Sequence, residues 1–384
     1  MVAMVRAGTP LRLVARHFGV SLYTVQWWLN RAGSTRLERV DWSTHPPVPR
    51  RTRRTTRSQE ELVLSVRQEL RQHSDLGEHG AVAIHRALHE RRQQGVVPSV
   101  RTIGRILVRG GVLDGRRRVR HPAPPRGWYL PAVGRGQAEV DCFDIVEGLV
   151  IQGAGAVEVL NVVSLHGGLA DSWPTSMVSA KLAVDLLLTH WRAVGVPTYA
   201  QFDNDTIFQG AHQHRDSISR VMRLSLSLGV VPVFAPPREP GFQAAIESFN
   251  GRWQAKVWAR FHHDSLEMLR ERSLRYITAL RQRRAPRIEG APPRRPFPSN
   301  WKLDLQAHPR GLLIYIRRTT EHGTVSLLGR TFLVDGNWTH RLVRCEVDLD
   351  AQLIRCYALR RRDPDHQPIL TTLPYALPQR RFDE

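Results

Sequence analysis

The sequence predicts an α/β chain with a mixed-sheet core at its centre, helical segments before it and a β-rich segment after it. Three observations lead there. Between residues 137 and 262, three extended runs precede alternating helical and extended patterns, which makes a mixed sheet with helices around it. Residues 1–112 carry apolar residues at helical spacing, with capping serines and a turn glycine. Residues 310–359 break into short β-branched and aromatic runs separated by turns.

Composition narrows the partners. A length of 384 residues leaves room for about two to four domains. The net charge of +21 and pI near 11.2 attract polyanions through counterion release. No lipid-binding helix stands out, so nucleic acid is the expected partner. Almost all the positive charge is arginine, the only lysines being Lys181, Lys256 and Lys302. Arginine gives bidentate phosphate and guanine contacts, although arginine-favouring codons of a GC-rich genome account for much of the bias. Cys142, Cys345 and Cys356 form neither a disulfide framework nor a zinc pattern. There is no signal peptide and no apolar run of about 18 residues, so a cytoplasmic protein is expected.

Residues 1–40 read as a helix-turn-helix. Ala15 permits a close helix crossing, Gly19 suits the turn and Ser21 caps the second helix. That helix presents Leu22, Tyr23, Gln26 and Arg31 outward, to the major groove or the backbone. The first helix starts almost at Met1, which leaves the completeness of this domain open. Residues 41–57, with Pro46, Pro47 and Pro49 before Arg50, Arg51, Arg53, Arg54 and Arg57, read as a basic linker. Residues 58–112 read as a second helix-turn-helix. Leu62, Val66 and Leu70 form a stripe, Ile84 and Leu88 lead to a turn at Gly95 to Pro98, and Ser99 caps a helix with Arg101 and Arg105 on one exposed face. Residues 113–136 are a second basic linker, with Arg116, Arg117, Arg118 and Arg120 before Pro122, Pro124 and Pro125.

The core spans 137–262. Residues 138–146, 149–152 and 157–165 read as strands, with a turn at Gly153 and Gly155. Residues 176–194 form a helix with Val178, Leu182, Leu186 and His190 on one side. A strand from Val196 to Phe202, a helix over 216–228, a strand from Val230 to Phe234 and a helix from Gln243 to Phe261 follow. Three acidic residues stand beside apolar runs: Asp141, Asp203 and Glu247. Carboxylates from distant segments are what hard divalent cations require. Two such ions about 3.5–4 Å apart activate an attacking oxygen and stabilise a leaving one.

Alternation along a strand puts Asp141 and Asp144 on opposite faces, so one of them reaches the site. Asp141, deeper in the strand, is preferred; Asp144 and Glu147 sit nearer the turn. Asp205 is the alternative to Asp203, and against both stands a loop Asp-Asn-Asp that only makes side-chain turns. Glu239 is the alternative to Glu247. Arg238, Arg252 and Lys256 are candidates for phosphate contacts. His212, His214, His262 and His263 fit a transition-metal site poorly beside so many acids.

The element order, with Asp141, Phe202-Asp203-Asn204 and the segment Gln243 to Asn250, resembles the catalytic core of retroviral-type integrases and bacterial insertion-sequence transposases. The resemblance covers roughly residues 137–262. It implies a ribonuclease H-like fold and a DDE active site in which Asp141, Asp203 and Glu247 hold two Mg²⁺ or Mn²⁺ ions. It also implies cleavage at transposon-end double-stranded DNA, then strand transfer, carried out by a homo-oligomer. The chain departs from the family pattern at Asp205 and at Ala244 and Ala245, where glycines are usual. It also has 43 residues between Asp203 and Glu247, more than is common, with the extra ones placed in Gln209 to Asp216. Residues 263–300 read as helix and then basic linker. Residues 301–384 read as a small β-barrel, which the resemblance also implies. Two other classes remain: a non-catalytic DNA-binding protein, and a nuclease that cuts without joining.

Overall fold

The structure, a computed structural model, describes residues 1–44, 55–91, 96–113, 126–211, 214–239 and 241–379. The predicted linker residues 45–54 and 114–125 lie outside these, as do Gly95 and His212. The chain divides into two units, 1–61 and 62–384.

In the first unit, α1 (Val2–Arg6), α2 (Leu11–Phe18) and α3 (Leu22–Ala32) close over Val14, Ala15 and Val25. Gly19 ends α2 at φ 63°, a left-handed backbone that costs glycine nothing. Ser21 caps α3 by accepting from the Thr24 amide at 3.1 Å.

The second unit opens with the part of α4 (Arg57–His73) beyond residue 61, then α5 (Ala81–Glu90) and α6 (Val100–Arg109). Val63, Val66, Ile84, Leu88, Ile103, Ile106 and Leu107 form their shared core. Ser99 caps α6 through the Thr102 amide.

One nine-stranded sheet carries the rest, in the order β11-β10-β9-β6-β5-β4-β1-β2-β3. These are β1 (Val140–Ile151), β2 (Gly155–Ser164), β3 (Ala170–Thr175), β4 (Tyr199–Phe202), β5 (Val231–Phe234), β6 (Leu312–Arg318), β9 (Leu342–Asp348), β10 (Leu353–Ala358) and β11 (Ile369–Pro374). The central run β1-β4-β5-β6 is parallel and both flanks are antiparallel. A separate hairpin joins β7 (Thr324–Leu327) to β8 (Arg330–Leu333).

Four expectations change. The runs 138–146 and 149–152 are one strand, β1, with an irregularity between Val146 and Leu149. The third strand is instead 170–175, whose Pro174 and Asp171 interrupt its apolar pattern. The C-terminal segment forms no separate barrel: β6 pairs with β5 in parallel, so β6, β9, β10 and β11 extend the core sheet. Finally, the Pro-rich stretch around Arg294 is no spacer. Arg295 bridges to Val196, and Arg294 reaches into the core.

The two sheet faces carry different cores. One packs Phe143, Phe202 and Phe234 against α8 (Ala180–Val194) and α10 (Arg220–Ser227). Within α8, Ala183, Val184, Leu187, Leu188 and Trp191 are buried, one position away from the predicted Leu182 and Leu186, which lie at the edge. The other face packs Val140, Cys142 and Val146 against α7 (Pro131–Gly134), α11 (Ala244–Trp253) and α12 (Leu266–Glu289). A π-helical turn, Gln254–Trp258, continues α11. Among the described residues, no helix is long and apolar enough to cross a membrane.

Candidate active site

The alternation of β1 decides which acid faces α11. Asp141 points with Phe143 to the α8 side. Asp144 points with Val140, Cys142 and Val146 to the α11 side. Cys142 stands beside Gln201 in the parallel β1–β4 register. Two residues further along both strands come Asp144 and, just past β4, Asp203. Glu247 lies in the first turn of α11, over the same face.

Asp144, Asp203 and Glu247 are therefore brought together, and Asp141 is not. Burial, then the charge of Asp203, then that of Glu247, push the Asp144 carboxyl up to about 7. Among the described residues no cation is paired with Asp144; its neighbours are two more acids and an amide. Asn250, one turn beyond Glu247, donates to Asp144 Oδ2 at 2.6 Å. Asn161 sits directly across from Asp144 on β2 and donates to Asn250 Oδ1 at 2.8 Å. Asn161 is fully buried and Asn250 nearly so. The sequence signal for Asn161 was a lone amide in the run Val159 to Val163.

Asp141 corrects the sequence-level preference. It is fully buried, and Arg294 grips it with two hydrogen bonds, 2.8 Å to Oδ1 and 2.6 Å to Oδ2. Trp191 Nε1 donates to Oδ2 at 3.1 Å, and His190 Nε2 lies 3.6 Å away. Burial alone would raise this carboxyl, but the Arg294 guanidinium and His190 hold it well below the usual range. His190 in turn is 2.6 Å from Asp171, which also pairs with Arg281. Burial would lower His190, and the two carboxylates raise it. Asp141 thus belongs to a closed ionic chain with no oxygen turned to the other acids.

The remaining alternatives also have other partners. Asp205 caps the short helix α9 (Thr206–Gln209), accepting from the Ile207 amide at 2.7 Å, and its own amide donates to Asp203 Oδ1 at 3.0 Å. Glu239 pairs with Arg318. Asn204 fixes the turn after β4. It donates to the Ala235 carbonyl at 2.8 Å and accepts from Arg317 of β6 at 3.0 Å. The insertion before α10 leans on the C-terminal segment: Asp216 accepts from Tyr375 and pairs with Arg330.

The predicted DNA-contacting residues divide in two. Tyr23, Gln26, Arg101, Arg105, Arg238 and Arg252 are exposed. Arg31 is half-buried, lying over Trp27 and Trp28 and 3.7 Å from Asp41. Lys256 donates to the Gly77 carbonyl at 3.1 Å and so holds the α4–α5 connection to the π-helical turn. His263 stacks on Trp258. Cys345 and Cys356 face each other across β9 and β10 with sulfurs 3.4 Å apart.

No family model and no curated protein matches the chain. Similar solved structures include a cryo-EM structure of the simian T-cell lymphotropic virus intasome in complex with PP2A regulatory subunit B56 gamma. It is 12% identical, with a TM-score of 0.33, covering 69% of this chain and 88% of that one. The catalytic core domain of BIV integrase is 13% identical, with a TM-score of 0.27 over 37% of this chain and 83% of that one. The HTLV-2 integrase catalytic core domain in complex with magnesium is 11% identical, with a TM-score of 0.27 over 42% and 90%. At these scores the likeness carries no inference, and the chain's own residues must supply it.

Proposed function

We propose that the chain is a DNA-cutting and DNA-joining enzyme of the transposase/integrase type, of the kind that moves bacterial insertion sequences, and that Asp144, Asp203 and Glu247 are its acidic triad. The supporting observation is that Asp144 of β1 feels the charges of Asp203, just past β4, and of Glu247 on α11. An all-oxygen donor set of this kind suits a hard divalent cation. Among the described residues, no three acids, histidines or cysteines are already gathered into a cage. The fit rests instead on Asp144, which burial first and then the charges of Asp203 and Glu247 raise to about 7, a repulsion that a cation would relieve.

Bound there, Mg²⁺ or Mn²⁺ would activate the attacking oxygen and stabilise the leaving one. Asn250 positions the Asp144 carboxylate by donating to Oδ2, and Asp144 with Asp203 and Glu247 would hold the ion. The Asp205 amide orients Asp203, and Asn204 with Arg317 keeps the turn in place. Glu247 gains from the positive end of α11. Tyr23 and Gln26 on α3, and Arg101 and Arg105 on α6, would hold double-stranded DNA in helix-turn-helix fashion. Joining at paired ends requires a homo-oligomer.

The test is nicking of a supercoiled plasmid with Mn²⁺. Wild type should nick, and chelation, Asp144→Asn, Asp203→Asn and Glu247→Gln should each abolish nicking, while Asp205→Ala should retain it. Nicking that survives Asp144→Asn sinks the triad. DNA binding without nicking moves the reading to a non-catalytic DNA-binding protein. Labelled 3′-ends that are cut but never joined mark a plain nuclease.

A further inference from the structure

On the flank of α11, about a quarter-turn from Glu247, lies a cavity of about 380 Å³. Four arginines line it: Arg126, Arg252, Arg284 and Arg287. No carboxylate is among its described lining residues. One wall is the loop after β2, which Glu139 pins by accepting from the His166 and Gly167 amides, each at 2.8 Å. Gly168 in that loop has φ 69° and lies against the Arg284 and Arg287 guanidiniums, where a Cβ would come within 3.2 Å of both. The opposite wall is Trp128 and Phe242, with ring centroids 5.9 Å apart.

The arginines are aimed rather than neutralised. Arg284 donates to the Gly168 carbonyl at 2.6 Å, and Arg287 donates to the Leu165 carbonyl at 2.9 Å and to the His166 carbonyl. Arg252 Nε donates to its own helix at the Ser248 carbonyl, 3.0 Å away. These bonds use one or two of the five N–H groups on each guanidinium and bring no negative charge. Crowding shows in the titration. Burial first, then Arg252 with Arg287, pushes Arg284 down to about 10, and Glu78 and Tyr276 offset only part of this. Arg287 is lowered by burial and by Arg126 and Arg252, with Glu139 opposing. Small residues at Ala244, Ala245 and Ser248 leave the α11 side open.

We propose that this cavity seats one nucleotide unit of the DNA strand, its phosphate on the four guanidiniums and its sugar or base against Trp128 and Phe242. The volume falls within the range of small-ligand sites, ~300–1,000 Å³. It exceeds what a phosphate alone needs, and Trp128 and Phe242, largely buried, give the sugar or base an apolar edge to lie against. A strand seated here passes beside the helix that carries Glu247. The identity of the strand as substrate rests on the function proposed above, but the charge and shape of the cavity do not.

The test is binding of a fluorescent single-stranded 20-mer to the full chain, in EDTA so that no cleavage intervenes, over a salt series. Arg126→Gln with Arg252→Gln should lower the slope of log affinity against log salt by about 0.7, the contribution of the one phosphate the cavity no longer neutralises. Ser248→Phe fills the cavity without removing charge and should weaken binding to the level of the double variant. An unchanged slope in the double variant overturns the proposal. So does undiminished binding by a Ser248→Phe protein that melts like wild type; if that variant does not fold, the arginine pair alone decides. Inorganic phosphate that competes with the 20-mer in wild type but not in the double variant supports the seat. Phosphate binding that leaves strand binding untouched marks a free-anion site and overturns it. Loss of nicking with these binding results intact would overturn only the catalytic reading.

Discussion

Asp144→Asn should make the protein more stable above neutral pH while abolishing its activity. The unfolded carboxyl titrates near its ordinary 3.8 and the folded one at about 7, so the folded state binds the proton more tightly. Stability is then full below about pH 4, declines as the pH rises toward 7, and levels off beyond. At 1.36 kcal/mol per pH unit the full rise corresponds to about 4 kcal/mol. The carboxyl keeps some contact with solvent, and screening brings this to about 2 kcal/mol. Asparagine keeps the shape and cannot ionise, so it should remove the decline and raise the melting midpoint at pH 8 by roughly 4 °C. The assay is thermal unfolding followed by circular dichroism in EDTA, at pH 4.5 and pH 8. The gap between variant and wild type should be small at pH 4.5 and open at pH 8. Adding Mg²⁺ at pH 8 should narrow it by stabilising wild type alone. A variant that melts below wild type at pH 8, or a gap unchanged by pH, would refute the reasoning that burial and the neighbouring acids disfavour the ionised form of Asp144.

Other substitutions separate structural acids from catalytic ones. Asp141→Asn should cost about 3–5 kcal/mol, since it leaves the Arg294 guanidinium buried and unpaired; denaturant unfolding reads this, and a cost under 1 kcal/mol would contradict the pairing. Asp205→Ala should cost about 1 kcal/mol through loss of the α9 cap, while metal-dependent nicking per folded molecule stays at wild-type level. Asn250→Ala should release Asp144 and shift the pH dependence of nicking toward alkaline values, because the amide that favours the ionised form is gone; an unmoved pH profile with lower activity would mean Asn250 acts otherwise. Gly323→Ala should destabilise sharply, because its φ is 70° and a Cβ would lie 2.0 Å from the Asp335 carbonyl oxygen.

Much of this arrangement could be read along the chain. Local signals carried the helices: Ser21, Ser99 and Gly19 act where their chemistry places them, and the apolar stripe Ile246, Phe249, Trp253 and Val257 is buried. Period-2 alternation correctly states that Asp141 and Asp144 part company, but not which face the last helix would cover. Depth in the strand favours Asp141, and burial is also what an arginine partner permits. The partner lies in a Pro-rich run whose composition argues for a linker. Likewise the C-terminal runs read as strands, but whether they close on themselves or add to a neighbouring edge depends on pairing between distant segments. Only the ladder between β5 and β6, Val233 beside Ile314 and Phe234 beside Tyr315, decides it.

The Arg294 clamp has a consequence for how the protein is made. Asp141 and its guanidinium partner are separated by 153 residues. A ribosome adding about 5–20 residues per second delivers Asp141 many seconds before Arg294. Throughout that interval the centre of the sheet cannot close without burying the Asp141 carboxylate with only Trp191 and His190 beside it and no guanidinium, and the outer side of β5 waits for β6. The nascent chain must therefore hold its central layer open until the segment after α12 emerges. Any shortened version ending at residue 262 would carry that waiting state permanently.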